Sequence, residues 1–232
     1  MQSLRIEVLE ANLALVERGL VLYTFGNASG ISREDGLVVI KPSGVSYASM
    51  TPDDLVVLDL NGQIVEGAMR PSSDTPTHLA LYRAFPSIGG VVHTHSHFAT
   101  CWAQACRDIP CFGTTHADYF YGSIPVTAHL DPSEIESEYE WNTGEAIIRR
   151  FETVDHTSIP AVLVAGHAPF CWGPSVTEAA QTAVILEEVA RMAYHTIGIN
   201  SDVLPLPRAL LNKHFLRKHG DRAYYGQPRS TG

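Results

Sequence analysis

Residues 55–65 read L-V-V-L-D-L-N-G-Q-I-V, and this stretch determines the kind of sheet that the chain can form. Its apolar run predicts a strand over 55–60, and Ile64 begins a second strand. Asn61-Gly62 between them is the dipeptide most typical of a tight hairpin turn. Strands that are joined so closely pair in the antiparallel sense, because a parallel pair needs a long crossover connection.

Helical and strand patterns alternate along the rest of the chain. They predict helices over 4–18, 76–85, 97–106, 131–151 and 175–197, and a last helix that ends near Gly220. Further strands are predicted over 21–25, 37–40, 90–94 and 161–164, with a turn or binding loop over 26–30. Most of these strands are spaced too closely for a doubly wound parallel sheet. The pattern therefore predicts a three-layer α/β chain with a largely antiparallel central sheet. We expect one domain over residues 1–228 and a tail over 229–232.

The charge balance argues against several classes of partner. The 232 residues include 16 Lys and Arg against 25 Asp and Glu, a formal net charge of -9. Nucleic acid and anionic membranes need a basic surface, so neither is expected as a partner. A small phosphorylated substrate stays possible, because a few amides and one or two cations can hold a phosphate.

The cysteines and the hydropathy pattern predict a cytoplasmic location. The four cysteines form no C-x-x-C pair, which favours buried thiols in a reducing compartment. The first residues do not resemble a signal peptide, and no apolar run approaches the roughly 20 residues of a membrane span.

The strongest local signal is His93-Thr94-His95, which follows an apolar strand. Side chains two residues apart on a strand point to the same face, so both imidazoles can reach one ion. His167 follows another predicted strand. Three histidines with an open position are typical of a catalytic zinc site. Histidines satisfied within the core would explain the same residues, and the spacing leaves both interpretations open.

Three segments of small residues are candidates for phosphate binding. They are Gly26–Ser29, Lys41–Gly44 and Pro71–Asp74. Each offers backbone amides, hydroxyls or an ammonium group, which is what a phosphate monoester needs. Ordinary turns use the same residue types, so each segment alone is unspecific. Asp74 at the end of one segment could reach a metal.

The segment Thr114–Gly122 combines ionisable and aromatic residues. A carboxylate beside apolar rings can have a raised pKa that suits a general acid or base, which makes Asp118 a candidate. The alternative is a buried aromatic loop that contains one capped aspartate.

Taken together, these segments resemble the L-ribulose-5-phosphate 4-epimerases of the class II aldolase/adducin superfamily. The resemblance extends from Val8 to Gln227. Its motifs are G-N-A-S, K-P-S-G-V, P-S-S-D-T-P-T-H, V-H-T-H-S, G-T-T-H-A-D-Y-F-Y-G, E-Y-E-W, G-H-A-P-F, K-H-F-L-R-K-H-G and A-Y-Y-G-Q.

The resemblance implies a three-layer α/β/α fold and a homotetramer with active sites between subunits. It implies Zn²⁺ or another divalent ion such as Mn²⁺ or Co²⁺, and a small phosphorylated ketopentose as substrate. The implied metal residues are His93, His95 and His167, with Asp74 on the ion or close to it. The implied proton donors and acceptors are Asp118 and Tyr225. Implied substrate and phosphate residues are Gly26, Asn27, Lys41, Ser43, Gly44, Ser72, Ser73, Thr114, Glu140, His214 and Arg217.

The resemblance implies epimerisation at C4 by cleavage and re-formation of the C3–C4 bond. An aldolase and a non-catalytic binding domain of the same fold are the alternatives. A sugar-phosphate aldolase similar to fuculose-phosphate aldolase would release the two fragments, but such aldolases typically carry Glu where this chain has Asp74. A non-catalytic domain similar to the adducin head would not need the three histidines. A nicotinamide route is disfavoured, because no G-x-G-x-x-G fingerprint lies between a strand and a helix. One departure from the family is Ala168, because the family often has glycine at this position, in the motif H-G-P-F.

Overall fold

A computed structural model describes residues 1–219 and 223–224 of the chain. Tyr225 and the tail over 229–232 lie outside the described residues. The strands are β1 (Asn27–Ser32), β2 (Leu37–Ile40), β3 (Val56–Asp59), β4 (Ile64–Glu66), β5 (Gly90–His93), β6 (Ala161–Leu163) and β7 (Pro169–Gly173). They form one seven-stranded sheet in the order β4-β3-β2-β1-β5-β7-β6, and every strand pairing is antiparallel. The predicted antiparallel sheet is confirmed.

Eight α-helices surround this sheet in the described part of the chain. They are α1 (Gln2–Glu17), α2 (Thr75–Ala84), α3 (His97–Gln104), α4 (Thr114–Ala117), α5 (Pro132–Glu136), α6 (Tyr139–Arg150), α7 (Val176–Ile199) and α8 (Arg208–His219). The single helix predicted over 131–151 is wrong, because the chain breaks at Ser137 into α5 and α6. The hydroxyl of Ser137 donates to the carbonyl of Ser133, and Asn142 donates to the carbonyl of Glu134. These side chains take carbonyls that a continuous helix would have used.

Alternating side chains along each strand divide the core into two layers. Val92 and Cys171 pack with α1, α3 and α7 on one face of the sheet. Val91 and Trp172 pack with α2 and α6 on the other face. Successive side chains of a strand point to opposite faces, so adjacent apolar residues supply both layers. This arrangement is the predicted three-layer α/β/α fold.

The strand predicted over 21–25 and the loop predicted over 26–30 are both wrong, since the first strand begins at Asn27. Tyr23 has a left-handed φ of 54°, and Tyr23 and Phe25 are exposed. The small residues that suggested a turn allow close packing instead, because a Cβ at Gly30 would lie 2.8 Å from Leu4 Cδ1. Pairing with β2 and β5 then fixes the segment as a central strand.

The strand β7 was not predicted. All four cysteines are free, but only Cys111 and Cys171 are buried, so the prediction of buried thiols is wrong for Cys101 and Cys106. No described helix has an apolar stretch of membrane-spanning length.

Candidate metal and phosphate site

Three histidines converge at one end of the central strands. His93 ends β5, His95 lies just beyond it, and His167 lies in the turn between β6 and β7. One ligand atom of each ring lies within 4.8 Å of the others, and the Nε2 atoms of His93 and His95 are 3.2 Å apart. Nitrogens bound tetrahedrally at about 2.1 Å from zinc are roughly 3.4 Å apart. The group therefore fits one divalent metal ion with room for a further ligand.

Burial keeps these imidazoles in the form that binds metals. His93 is buried, and burial lowers its pKa to about 4. Burial also lowers the pKa of His95 and that of His167. A neutral imidazole carries the lone pair that a metal needs. The Nδ1 of His93 donates to the carbonyl of Pro169 at 2.9 Å, which leaves Nε2 of the neutral ring as the lone-pair atom.

Asp74 lines the same cleft at the start of α2, where it is the N-cap residue. Burial on its own would raise the pKa of Asp74, but electrostatic attraction between its carboxylate and the rings of His93 and His78, and a hydrogen bond from Asn27, lower it below its usual range. The carboxylate is therefore ionised. It does not belong to the convergent ligand set of the described residues, which consists of the three histidines.

The two predicted phosphate segments after β2 and before α2 lie side by side. The amide of Ser43 donates to the carbonyl of Arg70 at 2.9 Å, and the amide of Ser72 donates to that of Lys41 at 3.0 Å. These bonds bring both segments to one cleft of about 430 Å³. The cleft is lined by Thr24, Phe25, Gly26, Asn27, Lys41, Pro42, Ser43, Gly44, Ser72, Ser73, Asp74, His93, His95, Tyr139, Glu140 and His167.

Lys41 supplies a buried cation at this cleft. Its Nζ donates to the carbonyl of Pro42 at 3.2 Å and lies 4.7 Å from the centre of the Tyr47 ring. Burial lowers the pKa of Lys41. An anion bound in the cleft would offset this burial, because opposite charges favour the ionised form.

Gly26 is required at its position for two reasons. Its φ of 79° is left-handed, which only glycine adopts without strain. A Cβ at Gly26 would also lie 2.8 Å from the carbonyl oxygen of His93. The chain can therefore enter β1 beside the histidines only with glycine at this position.

A second cluster of predicted residues is built by α4 and α8. Asp118, directly after α4, accepts hydrogen bonds from His214 Nδ1 at 3.0 Å and from Arg217 Nε and Nη2 at 3.0 and 2.6 Å. Lys218 Nζ lies 3.9 Å from the same carboxylate. Burial would raise the pKa of Asp118, but these hydrogen bonds and charges lower it. The predicted raised pKa is therefore wrong, since the partners on α8 outweigh the apolar surroundings.

The structure separates the predicted substrate residues into two groups. Glu140 lines the cleft of the histidines together with the phosphate segments. Thr114, Asp118, His214 and Arg217 do not line that cleft within the described residues. Instead, the amide of Asp118 donates to the carbonyl of Thr114 at 2.9 Å, and His214 and Arg217 bind its carboxylate.

Sequence reasoning missed Tyr139 and Phe25, which lie beside the histidines in the cleft. The hydroxyl of Tyr139 lies 3.3 Å from His167 Nδ1, and the ring of Phe25 lies 6.2 Å from that of His95. Tyr139 belongs to the E-Y-E-W motif, so its place beside Glu140 was the available signal.

The departure at Ala168 does not strain the turn, because Gly166 takes the left-handed conformation with a φ of 72°.

Comparison with known proteins gives one consistent family. Residues 6–194 match the family model described as Class II Aldolase and Adducin N-terminal domain. The L-ribulose-5-phosphate 4-epimerase UlaF of Salmonella paratyphi A is 56% identical over 227 residues, which cover 98% of this chain and 100% of that protein. A solved structure of L-fuculose 1-phosphate aldolase has a TM-score of 0.77 at 24% identity, covering 91% of this chain and 94% of the other, and it shows the fold alone. The L-fuculose-1-phosphate aldolase from Thermus thermophilus has a TM-score of 0.67 at 26% identity, covering 86% and 98%.

Proposed function

Since the chain belongs to the class II aldolase and adducin N-terminal domain family, we propose that it is a metal-dependent epimerase that interconverts L-ribulose 5-phosphate and D-xylulose 5-phosphate. One observation carries this proposal: the three histidines open into the same cleft as the two serine-containing segments Lys41–Gly44 and Pro71–Asp74. A metal site beside an anion site suits a sugar phosphate. The 56% identity to an L-ribulose-5-phosphate 4-epimerase supports this choice over other sugar-phosphate chemistry.

The proposed ion is Zn²⁺, with Mn²⁺ or Co²⁺ as substitutes, because imidazole ligands suit several of these metals. His93, His95 and His167 would hold it, with the ionised Asp74 nearby. When bound, such an ion stabilises negative charge on substrate oxygens as a Lewis acid.

The remaining cleft residues would bind and orient the substrate. Ser43, Gly44, Ser72 and Ser73 would hold the phosphate through amides and hydroxyls, and Lys41 would add a positive charge. Buried Asn27 Oδ1 has no hydrogen-bond partner within the described residues, so it is available to a substrate hydroxyl. Fixing the phosphate places the C3–C4 bond beside the histidines, so that binding energy orients the reacting atoms.

Proton transfer would come from the second cluster. Inversion at C4 by cleavage of the C3–C4 bond requires proton transfer on two opposite faces of the released aldehyde. Asp118 and Tyr225 are the proposed pair. Arg217 and His214 hold the carboxylate of Asp118 in one orientation and keep it ionised, and the ionised form is the one that can accept a proton.

The position of Asp118 outside the histidine cleft suggests that the active site is shared between subunits. Asp118 does not line the cleft of its own chain within the described residues. We therefore propose a homotetramer in which α4 and α8 of one subunit complete the cleft of the next. We also propose a cytoplasmic enzyme, because a charged sugar phosphate does not cross a membrane unaided. Nucleic acid and membranes are not proposed as partners.

A single assay tests the proposed activity. The enzyme is incubated with L-ribulose 5-phosphate without a nicotinamide cofactor, before and after treatment with a chelator. D-xylulose 5-phosphate should form, and chelation should stop its formation. Accumulation of dihydroxyacetone and glycolaldehyde phosphate as the main products would show an aldolase instead. A requirement for added NAD would contradict the cleavage route.

A further inference from the structure

Two of the three histidines are anchored through their Nδ1 atoms. His93 Nδ1 donates to the carbonyl of Pro169 at 2.9 Å. His167 Nδ1 lies 3.3 Å from the hydroxyl of Tyr139. A carbonyl only accepts, whereas a hydroxyl can donate or accept. The hydrogen bond to Pro169 therefore fixes the tautomer of His93, whereas the contact with Tyr139 does not by itself fix the tautomer of His167.

We propose that Tyr139 is a positioning residue for His167, and that its hydroxyl holds the ring in the orientation in which Nε2 of His167 can bind the ion. The inference rests on the proposed metal site. Metal-binding imidazoles are generally oriented by a partner of their second nitrogen, which is a carboxylate, a carbonyl or a water. In this chain a phenol takes that part for His167.

The proton positions follow from the chemistry of the ring. A neutral imidazole carries one N–H and one lone pair. If Nε2 of His167 holds the ion, its lone pair is used there and the hydrogen must be on Nδ1. That N–H then donates to the oxygen of Tyr139, so the phenol acts as the acceptor. The opposite arrangement, with the phenol donating, would place the hydrogen on Nε2 and block the metal.

Tyr139 can fix a ring because its own helix is held firmly. The carbonyl of Tyr139 accepts from the hydroxyl of Thr143 at 2.9 Å. The hydroxyl of Thr77 on α2 donates to the carbonyl of Glu140, which joins the start of α6 to α2. Further along, α6 approaches α2 so closely that a Cβ on Gly144 would lie 2.6 Å from the Cβ of Ala80.

This packing links two sides of the cleft. The helix α2 begins at its N-cap residue Asp74, and α6 begins at Tyr139. Because the two helices are packed together, Asp74 and Tyr139 are presented to the cleft as one unit. His167 comes from the sheet side, in the turn between β6 and β7. The Tyr139 hydroxyl is thus a direct contact between the helical layer and the third histidine.

The test compares two tyrosine-to-phenylalanine variants of the full chain. Tyr139→Phe removes the hydroxyl that contacts His167 and keeps the ring. Tyr121→Phe is the matched control, because its hydroxyl donates to Asn212 at 2.6 Å and contacts none of the histidines of the cleft. Zn²⁺ affinity is measured by competition with a chromophoric chelator, and the visible absorption spectrum is recorded after substitution with Co²⁺. Tyr139→Phe should weaken Zn²⁺ binding roughly 10- to 100-fold, as is typical for loss of such a partner, and should change the Co²⁺ spectrum. Tyr121→Phe should match the wild type in both.

A second variant tests the role of the helix packing. Gly144→Ala keeps the hydroxyl of Tyr139 but forces α6 away from α2, so it should change the Co²⁺ spectrum as well. An unchanged spectrum would show that the packing does not position Tyr139.

The outcomes separate this inference from the proposed function. If wild-type protein binds neither ion, the proposed metal-dependent function fails. If wild type binds Zn²⁺ and Tyr139→Phe binds it equally well with the same Co²⁺ spectrum, the positioning role is overturned. Weaker binding with an unchanged spectrum and a lower melting temperature than Tyr121→Phe would indicate general loosening, and it would also overturn the positioning role.

Discussion

Asn27 donates a hydrogen bond from Nδ2 to Oδ2 of Asp74 at 2.6 Å, and the same nitrogen lies 3.0 Å from Ser72 Oγ. This side chain therefore joins the central strand β1 to the segment that precedes α2. It lowers the pKa of Asp74, and its own Oδ1 has no partner within the described residues. One amide thus connects the metal side of the cleft to the phosphate side.

We expect Asn27→Ala to lower kcat/KM for L-ribulose 5-phosphate by roughly 10- to 150-fold. The reason is the loss of a hydrogen bond to a charged group, which is worth about 1.5 to 3 kcal/mol. Steady-state kinetics measures the effect. Asn61→Ala in the exposed hairpin turn is the control and should keep wild-type kinetics. Equal kcat/KM in Asn27→Ala and wild type would remove Asn27 from the proposed site.

Metal content should depend on His95 but not on its neighbour His97. His95→Ala removes one of the three convergent ligands, so the purified protein should lose its bound ion and its activity together. His97 is exposed at the start of α3 and lies outside the convergent set. His97→Ala should therefore retain about one ion per chain, as measured by elemental analysis. A His95→Ala protein with full metal content and turnover would contradict the proposed centre.

The phosphate segments predict strong discrimination against a substrate without phosphate. L-ribulose should be turned over far less efficiently than L-ribulose 5-phosphate, because phosphate binding also positions the reacting carbon. Ser72→Ala should narrow this difference, since Ser72 lines the cleft and a lost phosphate contact lowers kcat/KM for L-ribulose 5-phosphate more than kcat/KM for L-ribulose. The ratio of the two kcat/KM values is the measurement. An equal ratio in wild type and Ser72→Ala would place the phosphate elsewhere.

Local patterns were sufficient to predict the antiparallel sheet. The hairpin over 55–65 carries its own turn signal. The spacing of His93 and His95 was a weaker signal, because His95 lies beyond the end of β5 and His167 joins the pair only in the folded chain. The strand β1 could not be recognised in this way. Its small residues resemble a turn, and they become a strand only through pairing with β2 and β5, which is tertiary information.

The wrong pKa direction for Asp118 has a similar cause. Its partners His214 and Arg217 are 96 and 99 residues away in the chain. The apolar neighbours in the sequence were visible and suggested a raised pKa, but the charges that lower the pKa of Asp118 were not. Tyr139 was missed for the same reason, because its relation to His167 depends on how α6 packs.

Buried His116 predicts a pH dependence of stability. Burial lowers its pKa to about 4 from the usual 6.5. Between pH 6.5 and 4 the unfolded chain therefore binds a proton at this site that the folded chain does not bind. This contribution to the free energy of unfolding is fully present above pH 6.5. It falls by about 1.4 kcal/mol per pH unit below that value, until the pH reaches about 4.

Urea unfolding of metal-free protein at pH 7, 6 and 5 measures this dependence. His116→Asn should flatten the slope by one proton relative to wild type, even though its stability at pH 7 differs. His195→Asn changes an exposed histidine and should keep the wild-type slope. The prediction is wrong if His116→Asn and wild type lose stability with equal slopes.

The separation of Asp118 from the cleft leads to a prediction about mixed oligomers. Asp118→Asn keeps the size of the side chain but cannot accept a proton in the same way, so it should abolish most activity while leaving metal content unchanged. His95→Ala should be inactive through loss of the ion. If α4 and α8 of one subunit complete the cleft of the next, an oligomer of both variants contains some clefts with intact histidines and an intact Asp118. Co-refolded or co-expressed mixtures should then regain a fraction of wild-type activity.

A matched mixture distinguishes shared sites from simple stabilisation between subunits. His95→Ala and His167→Ala both damage the histidine group within a single chain, so every cleft in their mixture lacks one ligand. This mixture should stay inactive at any ratio of the two chains. Recovery in the first mixture but not in the second, in oligomers verified to contain both chains, is the result expected for a cleft shared between subunits. No recovery in either mixture would mean that Asp118 acts within its own chain, and α8 would then have to approach the histidine cleft by a movement of the subunit itself.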